Sequence, residues 1–534
     1  MSDPLLSPHG AAAGQKASRS VYYGSQSRMD WNGVANAPKS MWHPSDVQAG
    51  IIDPTKGDDV FLVRDDGFSG RSSRSSSAAS EALDCPEGQS GVAGATFNLT
   101  NGIIGAGIVG LPFALSEAGF VTGLGILIAV VVMTHYTLKL LIETGRGNAC
   151  FSYEAVAERA FGPAGYFTLL VFQALTCFGA CVAYFVLIGD TLPRVLRKWF
   201  SSELYILNDD RIVTLAVSVV IVMPPCLYRD MSSLEKWSFV SLCSVFVMLA
   251  CVVYALVVMG PDAAIHTSDA EDFYFDAHKA VFSSTGTISF AFGCQQYAFI
   301  VFKTLENPTR KRWSCVSFSS TTVSLIASAG MAVVGYFAFG EKTLPNVFNN
   351  FPADADIAAD TARSVLAVTM ILTLPLDFFV VRYTFQRLGQ RLFQQGQRPQ
   401  ISEGGAVIFS PVWTREHILG GGHAKDLTIV QHAALTLVLW GSALGIALFA
   451  LEYGGLGAVL ALTGDIGSIF IAFVFPPACF LKLGSSQLGS LVDRTSYGAY
   501  AVALFVMLFG VAGGVMGAYS TLSEIAGGNY NATG

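Results

Sequence analysis

The sequence is poor in charged residues. Of its 534 residues, only 13% are Asp, Glu, Lys or Arg, whereas 52% are hydrophobic, and soluble domains carry roughly 25% charged residues. This composition excludes an ordinary soluble protein. The formal net charge of −7 leaves no basic excess, and no basic stripe of the kind that binds nucleic acid is visible. We therefore expect no nucleic-acid partner.

The sequence also lacks the spacings that hold metals, cofactors and nucleotides. Its ten cysteines include no C-x-x-C pair, and most lie inside apolar runs, where a buried free thiol is the ordinary interpretation. No H-E-x-x-H motif, Walker loop, Arg-rich voltage sensor or T-V-G-Y-G filter occurs. Enzyme and ion-channel functions are disfavoured. We expect no catalytic residue, resident metal or cofactor, apart from a sodium ion or proton carried with a substrate.

The sequence is rich in apolar runs of about 20 residues, the length of helix that crosses a bilayer core. We count eleven, near 95–115, 120–142, 165–192, 212–228, 236–260, 279–302, 314–339, 363–388, 428–451, 456–480 and 498–522. The pattern predicts an all-α polytopic membrane protein with a transmembrane domain over 91–522. Its principal partner is then the lipid bilayer.

The ends of the chain differ from this domain. Residues 1–90 carry 19 charged residues and a Ser/Arg-rich run at 69–80, a composition too poor in apolar groups to fold. No signal-peptide pattern follows Met1, and the excess of Lys and Arg falls on loops that share a side with this tail. We expect a disordered cytosolic tail at 1–90, either a linker or a segment regulated by phosphorylation, a cytosolic loop at 389–427 and a short non-cytosolic tail at 523–534.

The first run contains G-x-G-x-x-G at Gly105, Gly107 and Gly110, followed by Pro112. A dinucleotide fingerprint also needs a preceding strand and an acidic residue about 20 positions later, and residues 123–133 contain no acid. The glycines and proline instead predict a helix that breaks within the membrane. The exposed backbone groups are tolerated only inside the protein or along a wet cavity.

Broken helices near the membrane midplane are typical of secondary transporters, where a half-helix amino terminus holds a substrate carboxylate. We therefore assign the amides of Gly105, Ala106 and Gly107 to the substrate. Close helix packing through small residues is the alternative. Asn101, however, adds a buried amide that packing alone does not require.

A transporter built from inverted repeats should have a second broken helix five runs later. The sixth run contains Gly293 followed by Gln295 and Gln296. We take Gln295 as a candidate substrate contact, with hydrogen bonding to a neighbouring helix as the equal alternative.

Oxygen-bearing side chains in later runs are candidates for a coupling ion. Thr369 and Thr373 share one helical face, and their hydroxyls either meet a cation or bond back to the preceding turn. Intramembrane carboxylates are costly and usually functional. Asp190 and Asp377 could cap a helix or pair with a neighbour. Asp465 has no obvious partner in its run, so it is the first candidate for a proton carrier.

Ordered motifs along the chain resemble the amino acid/auxin permease family, which includes sodium-coupled neutral amino-acid transporters and vacuolar amino-acid transporters. The resemblance covers roughly 90–522 and is carried by F-N-L-T-N-G-I-I-G-A-G-I-V-G-L-P at 97–112, A-Y-F-V-L-I-G-D-T-L-P at 183–193, C-L-Y-R-D-M-S-S-L at 226–234, F-x-F-G-C-Q-Q at 290–296, L-E-N-P at 305–308 and L-T-L-P-L-D-F-F-V-V-R at 372–382.

The resemblance implies a LeuT-like fold of eleven transmembrane helices, with five plus five helices in inverted repeats and one extra helix. It further implies that Asn101 and Thr373 serve sodium coupling and that Tyr184 lies near the substrate. The predicted outer loops contain no cysteine. The extracellular disulfide of the plasma-membrane sodium-coupled members therefore cannot form, which favours a vacuolar or lysosomal type of membrane.

These observations predict a secondary active transporter that moves neutral amino acids by alternating access. The rival hypothesis is a transporter-like receptor that reports amino-acid occupancy to cytosolic partners through its tail. Asn101 and Thr373 favour sodium as the coupling ion. Asp465 favours a proton, since apolar surroundings penalise the charged form of a carboxyl group, and the evidence leans toward the proton.

Overall fold

Helices dominate the part of the chain that the computed structural model describes, which is residues 90–148, 150–199, 210–227, 238–259, 280–351, 357–394, 428–453, 455–487 and 494–526. No strand occurs among these residues. Nearly all of the predicted cytosolic tail and loop, and most of the predicted carboxy-terminal tail, lie outside them. The predictions for those segments therefore stay predictions.

We number the helices α1 to α13 along the chain. They are α1 Val92–Ile103, α2 Gly107–Ala118, α3 Phe120–Gly147, α4 Tyr153–Trp199, α5 Arg211–Cys226, α6 Ser238–Met259, α7 Ala280–Ala291, α8 Gln295–Thr304, α9 Arg310–Phe339, α10 Ile357–Gln394, α11 Ile429–Tyr453, α12 Gly455–Gly484 and α13 Arg494–Ala526.

The lengths and composition of these helices confirm the polytopic membrane fold. Among the described residues, seven helices are long and apolar enough to cross a membrane, and the bent pair α1 and α2 adds an eighth span. Helix α5 is short and contains a π-helical turn, and α7 and α8 are the halves of an interrupted span. The count of eleven spans stays a prediction, although a described helix overlaps each of the eleven predicted runs.

The first span breaks where the glycines predicted. Helix α1 ends at Ile103, α2 begins at Gly107, and their axes differ by 55°. Ile104 lies outside helical backbone angles. The start of α1 is tied to the end of α8, because the Ser90 N–H donates to the Thr304 carbonyl and the Ser90 carbonyl accepts from the Glu306 N–H, both at 2.9 Å.

The sixth predicted run is broken as well. Helix α7 ends at Ala291 and α8 begins at Gln295. The two breaks are neighbours in space, since a Cβ atom on Gly107 would lie 2.5 Å from the Ala291 Cα. Only a residue without a side chain permits this approach. The packing of α2 against α7 thus brings both interruptions to one place.

Long helices surround these breaks. Helix α10 packs extensively on α4 and α6, and α12 packs on α4 and α7. Helix α4 bends at Gly162, whose φ of 65° suits glycine. Helix α12 contains π-helical turns at Thr463–Ser468 and Phe470–Val474, a distortion that often marks functional positions.

Candidate functional site

The two helix breaks open onto a common cavity of about 30 Å³. An engineered cavity of about 150 Å³ binds benzene, so this one has room for only a few waters and must widen to admit an amino acid. Among the described residues, its lining comes from both broken spans, from α4 and from α10: Gly102, Ile103, Gly105, Ala106, Gly107, Thr176, Cys177, Ala180, Tyr184, Phe290, Gly293, Gln296, Tyr297 and Asp377.

Four of the five residues predicted to bind substrate line this cavity. Gly105, Ala106 and Gly107 provide backbone at the interruption between α1 and α2, and Tyr184 faces them from α4. A Cβ atom on Gly105 would lie 2.6 Å from the Tyr184 hydroxyl. A glycine at 105 is therefore what allows the tyrosine to reach the broken backbone.

A buried carboxyl group lies in the same lining as the broken helix. Asp377 on α10, Tyr184 on α4 and the Ala106 backbone all line the cavity. The Tyr297 hydroxyl on α8 donates to Asp377. This bond joins α10 to α8 inside the cavity.

Asp377 is a site residue that the sequence analysis left as a helix cap or an ion-pair partner. The arginine five residues later, Arg382, donates to the Cys226 carbonyl at 2.6 Å and lies 3.5 Å from the Thr436 hydroxyl, and among the described residues it forms no ion pair with Asp377. The available signal was a carboxylate in the middle of an apolar run. That signal could not show which neighbours the carboxylate meets.

The adjacent glutamines of the second break have different roles. Gln295 lies outside the described lining of the cavity, because its Oε1 accepts from the Cys294 N–H at 3.0 Å and its Nε2 donates to Thr137 on α3 at 3.1 Å. These bonds follow the alternative in which Gln295 braces a neighbouring helix. Gln296 lines the cavity instead. Its Oε1 is buried and meets no donor among the described residues.

Asn101 and Thr373, predicted for sodium, and the cation candidate Thr369 lie outside the described lining of the cavity. Asn101 is buried in the last turn of α1. The Thr369 and Thr373 hydroxyls donate to the carbonyls one turn earlier, Val365 and Thr369, at 2.7 and 2.8 Å. Both threonines therefore bond back to their own helix, as in the alternative that the sequence left open.

Asp465 belongs to a second polar cluster, on the π-helical part of α12. The Thr521 hydroxyl on α13 donates to its Oδ2 at 3.0 Å. Glu117 on α2 and Glu524 on α13 interact with it electrostatically, and the Ser284 hydroxyl on α7 donates to Glu117 at 3.3 Å. We call Glu117, Asp465 and Glu524 the acidic cluster. Among the described residues, no such group is arranged to hold a metal ion.

Comparison with known proteins gives consistent matches. The family model described as transmembrane amino acid transporter protein matches residues 88–520. A Danio rerio protein named "Putative sodium-coupled neutral amino acid transporter 11" is 32% identical over 425 residues, which are 79% of this chain and 86% of the relative. Vacuolar amino acid transporter 2 of Saccharomyces cerevisiae is 28% identical over 396 residues, 74% of this chain and 76% of the relative.

A solved structure shows the same fold. The crystal structure of MhsT in complex with L-phenylalanine matches with a TM-score of 0.53 at 12% sequence identity, and the match covers 82% of this chain and 99% of the other. The structural similarity supports the LeuT-like architecture and carries no information on substrate.

Proposed function

Because this chain belongs to the transmembrane amino acid transporter family, we propose that it is a secondary active transporter that moves neutral amino acids across a membrane by alternating access. The family consists of transporters rather than enzymes. The observation that carries the proposal is the cavity between two broken helices, with backbone amides on one side and a buried carboxyl group on the other.

The substrate carboxylate is proposed to bind the amides of Gly105, Ala106 and Gly107. These groups lie at the amino terminus of α2, where the helix dipole favours an anion. The Gly105 N–H donates to the Ile103 carbonyl at 3.0 Å, so it would change partner when a substrate carboxylate binds. The name of the Danio rerio relative specifies neutral amino acids, which agrees with an uncharged amino-acid side chain.

The coupling ion is proposed to be a proton carried by Asp465. Its side chain is 2% exposed, and its Oδ1 meets no donor among the described residues. The charged groups that face it are Glu117 from α2 and Glu524 from α13, and α7 contributes the hydroxyls of Ser283 and Ser284. Both charged neighbours are acidic, so a proton bound by Asp465 would reduce the negative charge of the acidic cluster.

Helix α12, which carries Asp465, could couple protonation of that residue to the substrate cavity. Three residues later, the Ser468 side chain packs on Gly293, since a Cβ atom there would lie 3.1 Å from the Ser468 Oγ. Gly293 lines the cavity. If protonation of Asp465 moves the π-helical turn, Ser468 would therefore displace Gly293 at the second helix break.

Sodium is the other candidate for the coupling ion. Asn101, Thr369 and Thr373 provide neutral oxygens of the kind that hard cations prefer, and the name of the Danio rerio relative specifies sodium. The yeast relative is named for the vacuole, which agrees with the proposed vacuolar or lysosomal membrane. The receptor hypothesis depends on the tail at 1–90, and nothing in the comparisons supports it.

Uptake by purified protein in sealed vesicles tests the function. We expect accumulation of radiolabelled neutral amino acids that rises as the pH on the substrate side is lowered from about pH 8 to about pH 5, with or without sodium. Amino-acid binding with no net flux would support a receptor and contradict transport.

The Asp465→Asn variant tests the coupling ion. It keeps the shape of the side chain but removes the titrating group, so proton-driven uptake should fall about tenfold or more, the range of a typical coupling between two ligands. Exchange of labelled for unlabelled amino acid without a pH gradient should persist. The matched control is Asp190→Asn near the carboxy-terminal end of α4, where the carboxylate accepts from Asn346 and Asn349 at 3.4 Å. Strict sodium dependence and an unaffected Asp465→Asn variant would assign coupling to Asn101, Thr369 and Thr373.

A further inference from the structure

We propose that Asp377 is the counter-ion of the substrate's α-ammonium group, so that the cavity recognises an amino acid by both of its charges. This inference rests on the proposed transport function and specifies its binding site. The substrate carboxylate would lie on the amides that begin α2, and the ammonium would lie against α10.

The first step concerns charge. Asp377 is 8% exposed and lines the cavity, and none of the described lining residues is Lys, Arg or His. A buried carboxyl group is costly unless a cation or hydrogen-bond donors compensate it. The Tyr297 hydroxyl donates to it, and Tyr184 lies in the same lining. Neither tyrosine carries a positive charge, so a cationic ligand would compensate a charged Asp377.

The second step concerns distance. The Gly105 backbone meets the Tyr184 hydroxyl, since a Cβ atom there would lie 2.6 Å from it, and both residues line the same cavity of about 30 Å³ as Asp377. The donor pole and the acceptor pole therefore face one small space. An α-amino acid carries its carboxylate and its ammonium on adjacent atoms. Once Tyr184 turns aside, one head group can meet both poles.

The third step concerns the remaining donors of an ammonium group, which has three N–H bonds. Asp377 can accept one or two of them. The Gln296 Oε1 lines the same cavity and meets no donor among the described residues, while the Gln296 Nε2 is held by the Gly293 carbonyl at 3.3 Å. This arrangement leaves an oxygen ready to accept from a cationic head group.

The proposal predicts discrimination by the ammonium group itself. An α-hydroxy acid has the carboxylate and the side chain of the corresponding amino acid but no positive charge, so it would leave Asp377 buried without a cation. A site that hydrogen-bonds a particular polar group discriminates by large factors against analogues that lack this group. We expect the wild type to bind L-alanine or L-phenylalanine at least about 100-fold more tightly than L-lactate or L-phenyllactate.

The test measures ligand affinity of the full-length protein in detergent, from the shift in melting temperature with ligand concentration. The variant is Asp377→Asn, which retains an oxygen acceptor for the Tyr297 hydroxyl. Its affinity for the two amino acids should fall about 100-fold, while its affinity for the two hydroxy acids should stay unchanged. Asp377→Glu, which restores the charge, should recover part of the loss. Asp190→Asn, outside the cavity, should bind as the wild type does.

The outcomes separate this inference from the proposed function. If none of the twenty amino acids binds or is transported by the wild type, the proposed function fails. If amino acids bind the wild type and Asp377→Asn equally, only the role of Asp377 is overturned. A loss of affinity for amino and hydroxy acids alike would make Asp377 a structural residue. A variant with normal affinity and altered pH dependence would make it a proton site. Either result contradicts the proposal.

Discussion

Replacing Gly107 with alanine is expected to reduce amino-acid uptake about 100-fold or more while the protein still inserts in the membrane. The added Cβ atom would lie 2.5 Å from the Ala291 Cα and 2.7 Å from the Ala291 Cβ. Because the first contact is with backbone, no change of side-chain rotamer relieves it, and α2 must move away from α7. A displacement of about 1 Å at a binding site can cost about 100-fold in rate.

The matched control is Gly125→Ala on α3, where an added Cβ atom meets nothing within 4 Å. Alanine also has a higher helix propensity than glycine, so this variant should transport at the wild-type rate. Uptake is measured per folded protein, quantified by fluorescence-detected size-exclusion chromatography. Normal uptake by Gly107→Ala would show that close contact between the two breaks is not needed for transport.

Replacing Arg363 with methionine is expected to lower the free energy of unfolding by about 3–5 kcal/mol, the cost of breaking a buried charged network. Arg363 is 3% exposed. Its guanidinium donates to the Phe348 carbonyl at 3.1 Å, to the Phe351 carbonyl at 2.6 Å and to the Asp360 carboxylate at 3.2 Å. Methionine fills much of the space but leaves the Phe348 and Phe351 carbonyls without this donor and, among the described residues, Asp360 with Lys198 alone.

The control for Arg363→Met is Arg312→Gln. Arg312 pairs with Glu306 at 3.6 Å, but both side chains are substantially exposed, and exposed ion pairs contribute at most about 1 kcal/mol. Denaturant unfolding in detergent, followed by circular dichroism, should separate the two variants clearly. Equal stability of Arg363→Met and the wild type would mean that the loop near Phe348 is held by other contacts.

Local composition was sufficient to predict the class of fold and the first break. Runs of about 20 apolar residues admit only helices in a bilayer, because each backbone polar group must be satisfied within its own segment. The glycines at 105, 107 and 110 lower the stability of a helix whatever the tertiary contacts are, because helix propensity is a local property. These are properties of neighbouring residues, so they could be read from the sequence without knowledge of contacts.

The choice between Gln295 and Gln296 shows the limit of such inference. Both residues follow Gly293, and the sequence offered no reason to prefer either. The first turn of α8 points Gln295 to Thr137 on α3 and Gln296 into the cavity. About 100° of helical rotation separates the two side chains, and the packing of α8 against its neighbours sets that rotation.

The sequence by itself determined that this protein is a helical membrane protein with a broken first span, since both properties follow from the solvation and flexibility of local backbone. Only the tertiary structure decided that Asp377 belongs to the cavity. Its partner Tyr297 and its neighbour in the lining, Tyr184, are 80 and 193 residues away in the chain. A carboxylate in an apolar run must find compensation somewhere, but which donors it finds depends on how α4, α8 and α10 pack around the broken helix.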